Sequence, residues 1–119
     1  MEILKWLDDT SIVKAWSFLD SPEWPTGYYY KIKIELINSD LLYASEYFDW
    51  DENVRTYTLH WQDKKNNLIT RWDNTAHHRH IKTFPFHTHL PNKIIESEEM
   101  TLEMVLEIIS QHIGNQQNY

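Results

Sequence analysis

Cysteine is absent from this sequence and glycine occurs only twice, and each shortage removes a class of chemistry. Without thiols there is no disulfide, no thiolate zinc site and no cysteine nucleophile, a composition that suits a reducing compartment. With Gly27 and Gly114 as the only glycines, neither a Walker loop nor a dinucleotide fingerprint can be written, so no nucleotide cofactor is expected. No segment approaches the ~20 apolar residues that span a bilayer, so no membrane partner is expected. Near the N-terminus, Glu2, Asp8 and Asp9 break the basic-then-apolar order of a secretory signal, and a cytoplasmic location is the expectation. Cations are outnumbered, with 11 Lys and Arg against 18 Asp and Glu for a formal charge of -7. That balance argues against a general affinity for nucleic acid and leaves room for a local basic patch only.

What is present is a concentration of imidazole. Five of the seven histidines fall between His77 and His89, and imidazole is the side chain that titrates nearest neutrality and ligates borderline metals. His78 with His80, and His87 with His89, are spaced i, i+2, so in an extended segment each pair projects from one face. Arg71, Asp73 and Asn74 just upstream add a fixed cation, an acid and an amide, and Arg79 and Lys82 make the stretch cationic within an acidic chain. Phe84-Pro85-Phe86 between the pairs reads as a device that pins an ordered loop against the domain. The bland reading is that the imidazoles only tie irregular backbone down. Against it stands the tendency of working sites to sit on loops held by rigid scaffolds.

The length allows one core, so residues 1–119 read as a single domain. Six Trp, seven Tyr and four Phe favour a sheet-rich interior. Met1 to Asp9 can form a short apolar helical turn. Ile12 to Leu19 reads as a strand with Ile12, Lys14, Trp16 and Phe18 in one parity, and the breakers from Asp20 to Gly27 end it. Tyr28 to Ile37 alternates most cleanly, with Lys31, Lys33 and Glu35 on the outer parity; Leu41 to Trp50, Val54 to Gln62 and Leu68 to Asp73 continue the pattern after polar turns. Leu90-Pro91-Asn92 closes the histidine loop. Leu102, Val105, Leu106, Ile109 and Ile113 then fall at helical spacing, with Thr101 as N-cap, Gly114 as a left-handed C-cap and a frayed end from Asn115 to Tyr119. The expected fold is α+β, an antiparallel β meander of four to five strands packed against a C-terminal α-helix.

Taken in order, Tyr57-Thr58-Leu59-His60-Trp61-Gln62-Asp63, then Arg71-Trp72-Asp73-Asn74, His77-His78, Phe84-Pro85 and His87-Thr88-His89, the chain resembles the TumE-type toxins of bacterial toxin–antitoxin pairs. The likeness runs from about Tyr28 to the C-terminal helix, and R-W-D-N, H-H and F-P-x-H-x-H are specific as a composite. Ala76 departs from the proline that often precedes the paired histidines. The resemblance implies a small cytoplasmic toxin of a type II pair with a cognate antitoxin encoded beside it, and it carries no reaction with it.

Metal-free cleavage of RNA needs an imidazole as base, a second group as acid and a cation for the developing charge. His78 or His87 can serve as base, His89 as acid, Arg71 as phosphate clamp and Asp73 as the group that orients a histidine, without a cofactor. Asn74, His77, Arg79 and His80 are assigned to substrate contact. The rival is a hydrolase that holds a divalent metal on Asp73, His87 and His89, an N/N/O set with positions open to water. A non-enzymatic alternative is an interaction module that binds protein through Tyr28, Tyr29, Tyr30, Tyr43 and Tyr47. His60 and His112 read as ordinary sheet-surface and helix-surface residues, and Trp72 as core.

Overall fold

The computed structural model describes residues 2–75 and 80–117. Among these residues the elements are α1 (Glu2–Asp9), β1 (Val13–Asp20), β2 (Glu23–Trp24), β3 (Gly27–Leu36), β4 (Leu41–Asp49), β5 (Val54–Gln62), β6 (Leu68–Asp73), β7 (His87–Leu90), β8 (Lys93–Glu96) and α2 (Leu102–Gln117). The strands form a single eight-stranded sheet in the order β1-β3-β4-β5-β6-β7-β8, with β2 beside β3. All its pairings are antiparallel. This is the expected α+β meander with a C-terminal helix, carried further than the four to five strands expected. The extra strands are two to four residues long, too short for a period of two to stand out.

Three tight connections join β3 to β6, and each replaces the missing glycine with a small polar residue at positive φ: Ser39 at 74°, Asn53 at 51° and Asn66 at 68°. Asn visits that region more readily than most residues, and the side chain at the start of each turn holds it closed. Asn38 Oδ1 accepts from Asp40 N, Asp49 Oδ1 accepts from Asp51 N and Glu52 N, and Asp63 Oδ1 accepts from Lys65 N and Asn67 N. Gly27 is needed for another reason. A Cβ there would lie 2.1 Å from the Phe48 carbonyl oxygen and 3.0 Å from the Trp24 ring.

One sheet face and the helices share the core. Ile32, Ile34, Leu36, Leu42, Ala44, Tyr57, Leu59, Trp61 and Trp72 meet Leu102, Val105, Leu106, Ile109 and Ile113 of α2, with Leu7 of α1 and Ile12 alongside. Each fully buried aliphatic side chain here contributes about 1.5–3 kcal/mol. Trp72 is core, as its type suggested. Buried Asp40 accepts a bond from Trp61 Nε1 at 3.0 Å, and the Tyr57 hydroxyl accepts from Met100 N at 3.0 Å just ahead of α2. Thr101 Oγ1 accepts from Met104 N at 3.2 Å, the N-cap bond expected of it.

Some expectations are corrected. Gly114 has no positive φ and lies inside α2, which runs on to Gln117; helical backbone continues through the glycine because nothing forces it left-handed. The fraying expected from Asn115 therefore does not begin there. In β1, register shifts between Val13 and Ala15 and between Phe18 and Asp20 break the strict parity, and Phe18 is exposed. His87 to Leu90 is strand, not loop. Among the described residues, no helix is long and apolar enough to cross a membrane.

The two glycines should respond oppositely to alanine. Gly114→Ala, with nothing within 4 Å of the new Cβ, should stabilise by about 0.5–1 kcal/mol in urea unfolding. Gly27→Ala should lower the urea midpoint, because the backbone carbonyl must move; an unchanged midpoint there would contradict the close approach.

Candidate functional site

Alternation sends the even positions of β3 and β4 into the core, so the odd positions, and the even positions of β5, face away from α2. Cross-strand register then lines up residues far apart in sequence. One row runs Lys33, Tyr43, His60, Arg71, His89, and the next runs Lys31, Ser45, Thr58, Asp73, His87. Neighbours in such rows sit ~4.5–5.5 Å apart, close enough for polar side chains to meet.

Asp73 is the hub. Its residue is only 2% exposed, and a buried carboxylate is costly unless it is paired and hydrogen-bonded. Oδ1 accepts from Thr75 N at 3.2 Å and Thr75 Oγ1 at 2.9 Å, and lies 2.7 Å from His87 Nε2. Oδ2 accepts from Arg71 Nε at 3.3 Å and lies 3.4 Å from His89 Nε2. The rings of His87 and His89 are 4.8 Å apart and near-perpendicular at 70°. Exposure divides the partners: the Arg71 and His89 side chains are 41% and 25% exposed, whereas that of His87 is 2% exposed.

The Phe-Pro-Phe turn supplies the other anchor of His87. Thr83 Oγ1 donates to Phe86 O at 2.7 Å and accepts from Ser97 N at 3.0 Å, and Phe86 packs against the core while Phe84 is exposed. Pro85 O, held by this turn, lies 2.9 Å from His87 Nδ1. A carbonyl only accepts, so Nδ1 carries a proton, and Nε2 is the ring atom turned to Asp73.

Beside the hub, a cavity of about 430 Å3 opens on the same face, lined by Lys31, Tyr43, Ser45, Thr58, His60, Gln62 and Arg71. His60 Nε2 is 3.1 Å from Gln62 Oε1. Burial, and then the Arg71 charge, hold the His60 imidazole below its ordinary range.

Of the residues singled out from sequence, Arg71, Asp73, His87 and His89 come together, and the possible ligand atoms of Asp73, His87 and His89 all lie within 4.8 Å of one another. His77, His78 and Arg79 lie outside the described residues, and His80 is exposed on the turn. Asn74 is occupied by backbone: its Oδ1 accepts from Tyr57 N at 2.8 Å and its Nδ2 donates to Arg55 O at 2.7 Å. His112 packs edge-on against Trp61, consistent with an ordinary place on the helix. Of the tyrosines offered as a protein-binding face, Tyr30 is buried in the core, and the Tyr28 hydroxyl donates to Glu46, which also pairs with Arg55 at 2.7 Å. His60, read from sequence as a sheet-surface residue, and Tyr43, offered only for protein binding, line the cavity beside Arg71. The signal was their outward parity, which becomes specific only once the 63–67 turn sets His60 opposite Arg71.

A family model described as Toxin TumE matches residues 3–115. No curated protein and no solved structure matches the chain.

Two outcomes follow from this geometry. Asn74→Ala leaves two strand-edge backbone groups without their partner and should cost about 1–3 kcal/mol in chemical denaturation; a cost near zero would mean that water replaces the amide. For His60, a folded-state value below the ordinary imidazole value of 6.5 means that the unfolded chain binds the proton more readily. The stability it contributes is full above that value and is lost as pH falls through the lower folded-state value. Wild type should therefore lose more stability than His60→Gln between neutral and acidic pH, and equal losses would contradict the assigned shift.

Proposed function

The chain belongs to the TumE toxin family, and on that premise we propose that it is the toxin of a type II toxin–antitoxin pair and acts as a metal-independent ribonuclease. Its partner on this reading is a cognate antitoxin protein. The observation that carries the reading is the pair of groups sharing one carboxylate oxygen: Arg71 Nε at 3.3 Å and His89 Nε2 at 3.4 Å from Asp73 Oδ2, both with side chains that reach solvent. A buried anion thus holds a fixed cation and an imidazole side by side where both reach solvent.

In the reaction, a base takes the 2′-hydroxyl proton, the 2′-oxygen bonds to phosphorus, the bond to the 5′-oxygen breaks, and an acid protonates that leaving oxygen. His89 is the proton-transfer group on the described surface, and His78 remains the sequence candidate for the second. With Nε held by Asp73, the terminal nitrogens of Arg71 remain to span a phosphate and offset charge as it develops. His87 is too buried to meet substrate. Clamped between Pro85 O and Asp73, it positions the carboxylate.

A second reading has its own support. Asp73, His87 and His89 would hold a divalent metal, His87 in the usual manner of a ligand whose other ring nitrogen is bonded to a carbonyl. Such an ion would supply an activated water. Ligand atoms bonded at ~2.0–2.1 Å in tetrahedral array sit roughly 3.3 Å apart, and the 2.7 Å between His87 Nε2 and Asp73 Oδ1 is tighter, so the pair would have to part to admit it.

The test is cleavage of a labelled RNA by purified toxin. Activity should persist in chelator, fall by a factor of ~10² or more in His89→Ala, and fall in Arg71→Lys, where a point charge replaces a planar fork. Chelator-sensitive activity restored by one divalent ion would turn the assignment to the metal reading, and full activity in folded His89→Ala would remove His89 from proton transfer.

A further inference from the structure

We propose that the cavity on the helix-free face of the sheet is a subsite for a nucleotide of single-stranded RNA, next to the Asp73 cluster. Its substrate class rests on the ribonuclease reading, and its location rests on geometry alone. Arg71 belongs to both places: it lines the cavity and is bonded to Asp73. A strand of RNA whose phosphate is gripped by Arg71 therefore has its next residue over this cavity.

The lining chemistry is that of a nucleotide. In a chain of formal charge -7, the described residues that line the cavity include Lys31 and Arg71 and no carboxylate. These cations sit on β3 and β6, three strand spacings apart and one row out of line, so their Cα atoms are separated by about 16 Å, a span over which two long side chains can hold the phosphates flanking one base. Tyr43 comes from β4, between those two strands, and Ser45, Thr58, His60 and Gln62 complete the lining with Ala44. An aromatic plane with hydroxyl and amide groups around it is how proteins take an unstacked base, by stacking first and edge bonds second. The volume, about 430 Å3, falls within the ~300–1,000 Å3 of small-ligand sites. A duplex keeps its bases paired and stacked and cannot fill such a site. Lys is depleted at protein–protein interfaces, and Lys31 lines this cavity.

The test uses the full chain with His89→Ala, so that RNA is bound and not cut, and reads fluorescence anisotropy with a short labelled RNA of mixed sequence. Adding Tyr43→Leu should weaken binding roughly tenfold or more, the size of a lost stacking contact. Adding Lys31→Gln, at an exposed position, should weaken binding and reduce the salt dependence by about one phosphate contact. The same sequence as a duplex should bind weakly and ignore both changes. Native affinity in both variants, with unchanged circular dichroism, overturns the subsite even if wild type cleaves RNA, in which case the ribonuclease reading survives without it. RNA binding that depends on Tyr43 and Lys31 in a protein with no nuclease activity supports the subsite and removes the ribonuclease reading. Absence of RNA binding overturns both, and loss of a protein partner alone in these variants would assign the cavity to that partner instead.

Discussion

A carboxylate taken out of water at Asp73 is the constraint around which the site side of the sheet is arranged. Its charge is offset by Arg71, and its oxygens are met by His87, His89 and Thr75. Because one oxygen serves the buried His87 and the other serves the exposed Arg71 and His89, the group transmits order from interior to surface. Remove the anion, and a buried imidazole, a guanidinium and a second imidazole lose their common reference together. The Pro85 carbonyl completes the arrangement from the far side of the loop.

How much of this was legible beforehand depends on the element. Tyr28 to Ile37 and Val54 to Gln62 announce themselves because half of each strand faces a core and half faces solvent. Leu102 to Ile113 does so because one stripe is buried. The β7 strand was hidden because His87 and Thr88 are both buried, so the alternation that marks a strand is erased. Gly114 misled because glycine usually marks a helix end, and here the helix passes through it. Within the site, Arg71, Asp73, His87 and His89 were readable from proximity in sequence and residue type, whereas the burial of His87 and the engagement of Asn74 were not, since both depend on what lies over them in space.

The two faces of the sheet are chemically unlike. One is aliphatic and aromatic and is sealed by α2; the other carries Lys31, Tyr43, His60 and Arg71 at its surface. An acidic protein can gather a local positive field this way, because alternation separates the inward positions from the outward ones without changing the net charge.

Tyr57 crosses that division. Its backbone N–H is held by Asn74, the residue after the site strand, while its hydroxyl receives the Met100 N–H at the entrance to α2. The helix seat and the loop that leaves Asp73 are thereby tied to opposite ends of a single side chain and its own backbone. A displacement of the α2 entrance is handed through a rigid aromatic strut to the far surface, so the stiffness around Asp73 is set partly by how a helix on the opposite face is seated.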